Sequence, residues 1–119
     1  MLNKENLYKS EKTSDFYKLV YDIVNLIPPG KVTTYGAIAK ALGTSKSSRL
    51  VGMALISAHL PTIDLPIHRV VNRTGLLTGK HHYETLSKMQ ELLENEGIKI
   101  ENDHVKDFKA IFWDPMIEL

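Results

Sequence analysis

Apolar residues recur at Phe16, Leu19, Val20, Ile23, Val24 and Ile27, the three-and-four spacing that lays one stripe along a helix. Thr13 or Ser14 is suited to cap its start. Pro28-Pro29-Gly30 must end it, because a proline disfavours helical backbone in the residue before it. Residues 1–13 are polar, show no clear period, and read as a loose arm. After a short extended Lys31-Val32-Thr33, Thr34 can cap a second helix from Tyr35 to Leu42, burying Ile38, Ala39 and Leu42. Gly43 suits the left-handed residue that stops it. Thr44-Ser45-Lys46-Ser47 then makes a tight polar connection into a third helix, Ser48 to about Ala58, rich in small residues and with Arg49 in its first turn. Two short helices, a glycine-containing turn and a cation near the second helix's start fit a helix-turn-helix, although an ordinary αα-hairpin fits the same pattern.

Leu60 to Asp64 reads as a loop, and Leu65-Pro66-Ile67-His68-Arg69-Val70-Val71-Asn72 as a turn leading into a short buried strand, since β-branched residues favour extension. Asn72-Arg73-Thr74-Gly75 has good turn chemistry, and Leu76 to His82 an irregular basic loop. Thr85 can cap a helix with Leu86, Met89, Leu92 and Leu93 on its apolar face and Gly97 at its end. Ile98-Lys99-Ile100 and Val105 alternate around Asn102-Asp103, a small hairpin. Phe108, Phe112 and Trp113 can close over the core.

A chain of 119 residues supports one modest core. No apolar run approaches the roughly 20 residues that span a bilayer, and Met1 to Asn6 lacks the apolar centre of a secretion signal. A cytoplasmic location is therefore expected, with no membrane partner. The absence of cysteine excludes a disulfide, a thiolate zinc site and a cysteine nucleophile. His59, His81, His82 and His104 have no carboxylate spacing that would make a metal site, and no cofactor is implied. Charge is uneven along the chain. Residues 31–82 carry seven basic groups against Asp64 alone, whereas residues 83–119 carry four basic and nine acidic groups. A basic middle beside an acidic tail suggests a bound polyanion, or else a chance gradient on a solvated surface.

Four motifs in order, Ile27-Pro28-Pro29-Gly30-Lys31-Val32-Thr33-Thr34-Tyr35-Gly36, Ser48-Arg49-Leu50-Val51-Gly52, Pro66-Ile67-His68-Arg69-Val70-Val71 and Leu92-Leu93-Glu94-Asn95-Glu96-Gly97, resemble the C-terminal domain of the O6-alkylguanine-DNA alkyltransferases over about residues 15–97. One position departs from that pattern. Where those enzymes carry the alkyl-accepting cysteine after the proline, this chain has Ile67. A replaced cysteine resembles the alkyltransferase-like subfamily, which binds O6-alkylguanine without repairing it and passes the lesion to nucleotide excision repair. Tryptophan or alanine occupies the position in that subfamily, so isoleucine is a further departure. The ending Phe112-Trp113-Asp114-Pro115 is similar to the subfamily's tail.

The chemistry agrees, since dealkylation needs an activated soft nucleophile and an isoleucine side chain has no lone pair. The resemblance implies a mainly α fold, a small helical DNA-binding domain with a winged-helix-like helix-turn-helix and short β elements, spanning residues 15–119 behind an arm of residues 1–14. It implies binding of double-stranded DNA as a monomer, with the lesion flipped out of the duplex. Tyr35, Arg49, Thr34, Lys46 and Gly52 would contact DNA, with Arg49 filling the hole in the stack. Tyr35, Ile67, Val70 and His68 would line the flipped-base pocket. His68 and Glu96 match a hydrogen-bonded pair left without a thiolate to activate, and Arg69 ties the loop or contacts phosphate. Lys31, Lys46, Arg49 and Lys80 would neutralise phosphates. Lys80, His81 and His82 serve the DNA backbone or belong to a solvated loop, and the residue that lids the pocket cannot be assigned from this stretch. The alternative is a sequence-reading helix-turn-helix regulator, which would prefer a short DNA site.

Overall fold

The stripe read between Phe16 and Ile27 forms on α1 (Lys4–Leu26), with Val20, Ile23, Val24 and Ile27 buried and Leu19 turned outward. In this computed structural model, residues 4–43, 48–58 and 64–119 are described, with side chains from residue 15 onward. The helix begins at Lys4, not at a Thr13 or Ser14 cap, so the expected loose arm is helical from there on. Residues 4–13 contain no glycine or proline. Adding residues to an existing helix is far easier than nucleating one, so propagation overrides an interior capping residue.

After Pro28-Pro29, Gly30 turns the chain at φ +83. β1 (Thr33–Thr34) then runs parallel to β2 (Val70–Val71), pairing Thr33 with Val70 and Thr34 with Val71. This ribbon is the partition of the molecule. Successive strand residues face opposite ways, so Val70 enters one core while Val71 and Val32 enter another. The first core joins α1 to the two helices of the helix-turn-helix, α2 (Tyr35–Ala41) and α3 (Ser48–Ser57), and to Trp113. Thr34 caps α2 as the sequence indicates, its Oγ1 accepting from Ala37 N at 3.0 Å, and Gly43 follows at φ +79. The connection at 44–47, with Lys46, and the segment 59–63, with His59, lie outside the described residues.

Val71, Leu77, Met89, Leu93, Ile98 and Val105 are central to the second core. The stretch read as an irregular basic loop instead forms a short 3₁₀ helix, Thr78–His82, entered from the buried Leu77. α4 (Lys88–Asn95) starts later than a Thr85 cap would place it, and Leu86 is 62% exposed. Tyr83 packs against the second core with extended backbone, so the chain turns helical only beyond it. Gly97 closes α4 at φ +85. β3 (Ile100–Glu101) and β4 (His104–Val105) form the expected hairpin, with Asn102 and Asp103 at φ 52 and 60, the two left-handed positions of a tight hairpin turn. The tail adds α5 (Phe108–Ile111) and α6 (Pro115–Glu118) and bonds both faces of Val32, whose N–H reaches Ile111 O at 3.0 Å and whose carbonyl accepts from Trp113 N at 2.7 Å. Phe108 stacks on Phe112 with centroids 5.6 Å apart. Among the described residues no helix is long and apolar enough to cross a membrane.

Because Trp113 brings the tail into the first core, Trp113→Ala should destabilise the whole domain by about 3–5 kcal/mol. A single, shifted urea transition by circular dichroism is expected, since the tail and the helices unfold as one unit.

Candidate functional site

Pro66 turns the chain into the 3₁₀ turn Ile67–Arg69, where Ile67 N donates to Leu65 O at 2.8 Å and Arg69 N to Pro66 O at 3.1 Å. The turn is held from below by one carboxylate. Glu96, at the C-terminal end of α4, lies 2.6 Å from His68 Nε2 through Oε2. Arg69 donates to the same carboxylate from Nε at 3.0 and 3.1 Å and from Nη2 at 2.8 Å. The remaining Arg69 nitrogen reaches Ile27 O at 2.7 Å, and Gly30 N donates to Glu96 Oε1 at 3.0 Å. Burial alone would raise the Glu96 pKa, but the hydrogen bonds from Arg69, His68 and Gly30 outweigh it and hold the carboxyl down at about 2. Burial pushes His68 below its ordinary value despite the carboxylate beside it, with Arg69 adding to the lowering. His68 is thus neutral at pH 7, and facing an ionised acceptor its Nε2 carries the proton. Arg69 takes the loop-tying role, with its donors turned into the protein.

Above this turn lies a cavity of about 170 Å³, below the ~300–1,000 Å³ of pockets that take drug-sized ligands. Ile67 and Val70 wall it on one side, Gly52 and Ile56 of α3 on another, and Tyr35, the first residue of α2, on a third. Thr78, Gly79, His82 and Tyr83 complete the rim, over Leu55 and Met89. Thr78 Oγ1 donates to Tyr35 Oη at 3.5 Å. Burial, with Tyr35 nearby, pushes the Tyr83 phenol well above its ordinary value, so it remains protonated. The walls are mostly apolar with hydroxyls at the rim. Ile67 offers contact and no nucleophile.

The structure thus gathers Tyr35, Gly52, Ile67 and Val70, together with His82 from the basic run, and sets His68, Thr34 and Arg49 elsewhere. His68 does not line the cavity, because Glu96 holds its ring. Thr34 is buried with its hydroxyl engaged by the α2 cap, so it sets Tyr35 in place and does not reach outward. Arg49 is exposed on α3 outside the cavity, beside Leu50, Met53 and Ile56 on the same open face. Ala54, one of the small residues of α3, is fully buried and packs in the first core. Gly52 differs, since a Cβ built on it would meet nothing within 4 Å. Internal packing therefore does not require glycine there. Lys80 pairs with Asp103 at 2.7 Å. Among the described residues no cluster of three or more His, Asp or Glu could hold a metal. Sequence reasoning missed Leu55, Ile56, Thr78, Gly79, His82, Tyr83 and Met89 as walls. Met89 reads as core by its helical spacing, and the small pair Thr78-Gly79 ahead of the basic run was the available signal.

A family model for the DNA-binding domain of 6-O-methylguanine DNA methyltransferase matches residues 15–98. The alkyltransferase-like protein 1 of Schizosaccharomyces pombe is 36% identical over 98 residues, covering 82% of this chain and 90% of that protein. The DNA base-flipping protein of Escherichia coli is 39% identical over 108 residues, covering 88% of this chain and 79% of that one. The crystal structure of S. pombe Atl1 in complex with damaged DNA containing O6-carboxymethylguanine matches the fold with a TM-score of 0.74 at 34% identity, covering 84% of this chain and 95% of that one.

The lowered values of Glu96 and His68 mean that the folded state holds fewer protons than the unfolded chain in acid, so acid weakens it. The His68 contribution fades as pH falls below its ordinary 6.5, and that of Glu96 between 4.5 and about 2. Glu96→Gln should cost about 2–3 kcal/mol at pH 7 by leaving Arg69 and His68 poorly matched. Urea midpoints between pH 7 and 2 should fall less steeply below pH 4.5 in this variant than in the wild type, and parallel curves would contradict the assignment.

Proposed function

The chain belongs to the family of the 6-O-methylguanine DNA methyltransferase DNA-binding domain, and on that premise we propose that it recognises O6-alkylguanine in double-stranded DNA, flips the base into the Ile67-walled cavity, and binds it without removing the alkyl group. The observation that carries this reading is a base-sized apolar cavity, opening beside α3, in which Ile67 replaces the family's acceptor. With no cysteine anywhere in the chain, the alkyl group has no thiolate to move to. The S. pombe relative crystallised on damaged DNA and the E. coli relative named for base flipping support the same reading.

Extruding a base costs a few kcal/mol, less for a lesion that pairs poorly. Tyr35, at the cavity wall, meets the flipped base, and Arg49, exposed on the adjacent face of α3, enters the space that it leaves. That face supports the minor groove. Leu50, Met53 and Ile56 beside a single arginine offer apolar contact and deformation. Reading the major groove needs several hydrogen-bonding side chains on the recognition helix, and the open face of α3 does not present them. This disfavours the sequence-reading regulator. Residues 15–119 act as the binding unit, with 1–14 an arm, and one copy per lesion suffices. A lesion held but not repaired must be removed by other proteins, and we assign that step to nucleotide excision repair.

The reading is tested by fluorescence-anisotropy titration of paired duplexes, one with O6-methylguanine and one with guanine, at two salt concentrations. A clear preference for the lesion is expected, and equal binding to both would overturn the reading. In the same assay Arg49→Ala should weaken lesion binding more than guanine binding. Gly52→Leu should preserve or raise the melting temperature, since glycine inside a helix is unfavourable by about 0.5–1 kcal/mol relative to alanine. The same change should sharply reduce affinity for both duplexes by blocking close approach.

A further inference from the structure

The cavity wall at Thr78–His82 is held in place by its neighbours more than by its own burial. No residue within that 3₁₀ helix is buried, and no side chain caps its start. Such short helices have poor hydrogen-bond geometry and depend on their surroundings. Leu77 anchors one end in the second core and Tyr83 packs against that core at the other, while Asp103 grips the segment twice. Its carbonyl accepts from Leu77 N at 2.9 Å, and its carboxylate accepts from Lys80 Nζ at 2.7 Å. Asp103 is itself placed firmly, as the second left-handed residue of the β3–β4 turn. That hairpin is tied back by Val105 N to Gly75 O at 2.9 Å and by the bridge between Leu76 and His104. On its cavity side the wall leaves little clearance. Thr78 Oγ1 is 3.5 Å from Tyr35 Oη, and a Cβ on Gly79 would lie 3.4 Å from the same oxygen. A shift of a few tenths of an ångström in the wall is therefore felt at the Tyr35 hydroxyl.

Resting on the reading of the cavity as a flipped-base pocket, we propose that Asp103 is a positioning residue which, through Lys80, sets the Thr78–His82 wall against Tyr35 and thereby sharpens discrimination between alkylated and normal guanine. Asp103 does not itself line the cavity. Lys80 serves the pocket from behind and not the DNA backbone. This separates two roles by their salt dependence, because a lysine on a phosphate releases a counterion on binding whereas a lysine paired within the protein does not.

The test is to titrate wild type, Lys80→Met, Lys80→Arg and Asp103→Asn against the O6-methylguanine and guanine duplexes over a range of salt. Asp103→Asn keeps a residue that tolerates left-handed backbone and removes only the charge. All variants should melt close to wild type, because a partly exposed ion pair contributes little stability. Lys80→Met and Asp103→Asn should lose several-fold in preference for the lesion, with guanine-duplex affinity and salt slope unchanged, and Lys80→Arg should retain the preference. Unchanged preference in both Lys80→Met and Asp103→Asn would overturn the proposal. So would uniform weakening on both duplexes with a salt slope reduced by about 1, the mark of a lost phosphate contact. A wild type without preference would overturn the flipped-base reading and this proposal with it. A preferring wild type matched by both variants would overturn this proposal alone.

Discussion

One carboxylate holds together three stretches of chain that are far apart in sequence. Glu96 accepts from His68, Arg69 and Gly30, and Arg69 continues the network to the carbonyl of Ile27 at the end of α1. The end of α1 with its Pro-Pro-Gly turn, the Ile67–Arg69 turn and the end of α4 are thereby locked in register. The arrangement is stable because every polar partner is matched. A charge in this half-buried setting, stripped of one partner, would be costly. Ile67 is placed by its neighbours, since the residues on its C-terminal side are both held by the same carboxylate.

The second organising element is the two-residue ribbon of β1 and β2. It is too short to be a sheet in its own right, yet it divides the apolar residues into two cores and gives the cavity a place between them. Val70 reaches the first core while Val71 reaches the second. The cavity is lined from both, by Leu55 of the first and by Met89 of the second. The cavity therefore sits where two packed units meet, with the helix-turn-helix on one side and the 3₁₀ wall on the other. The hairpin beyond α4, outside the segment matched by the family model, is what secures that wall.

Much of this was legible because it is local. Thr34 as a cap, Gly43 and Gly97 as left-handed stops, and Asn102-Asp103 as a hairpin turn are each dictated by a residue's own backbone preference. The turn into a buried strand at Leu65–Asn72 followed from proline and β-branching in the same way. The misreadings share a different cause. The start of α1 was hidden because capping residues inside a propagating helix go unused. The late start of α4 and the ordered wall depend on Tyr83 packing against the second core. His68 is turned from the cavity, and Lys80 is paired within the protein, because each found a carboxylate more than 20 residues away. Such partners follow from tertiary contact, which spacing along the chain does not reveal.

A wall made of Ile67 also changes what happens after binding. A thiolate acceptor would form a stable thioether at its first encounter, and each molecule would act once. Isoleucine leaves the protein chemically unmarked, so the same molecule can bind, release and bind again. The output of such a site is a residence time, set by the off-rate from the flipped complex. In the proposed complex the apolar contacts of Ile67, Leu55 and Met89 would set how long a lesion stays visible, and a substitution at any of them would adjust a clock.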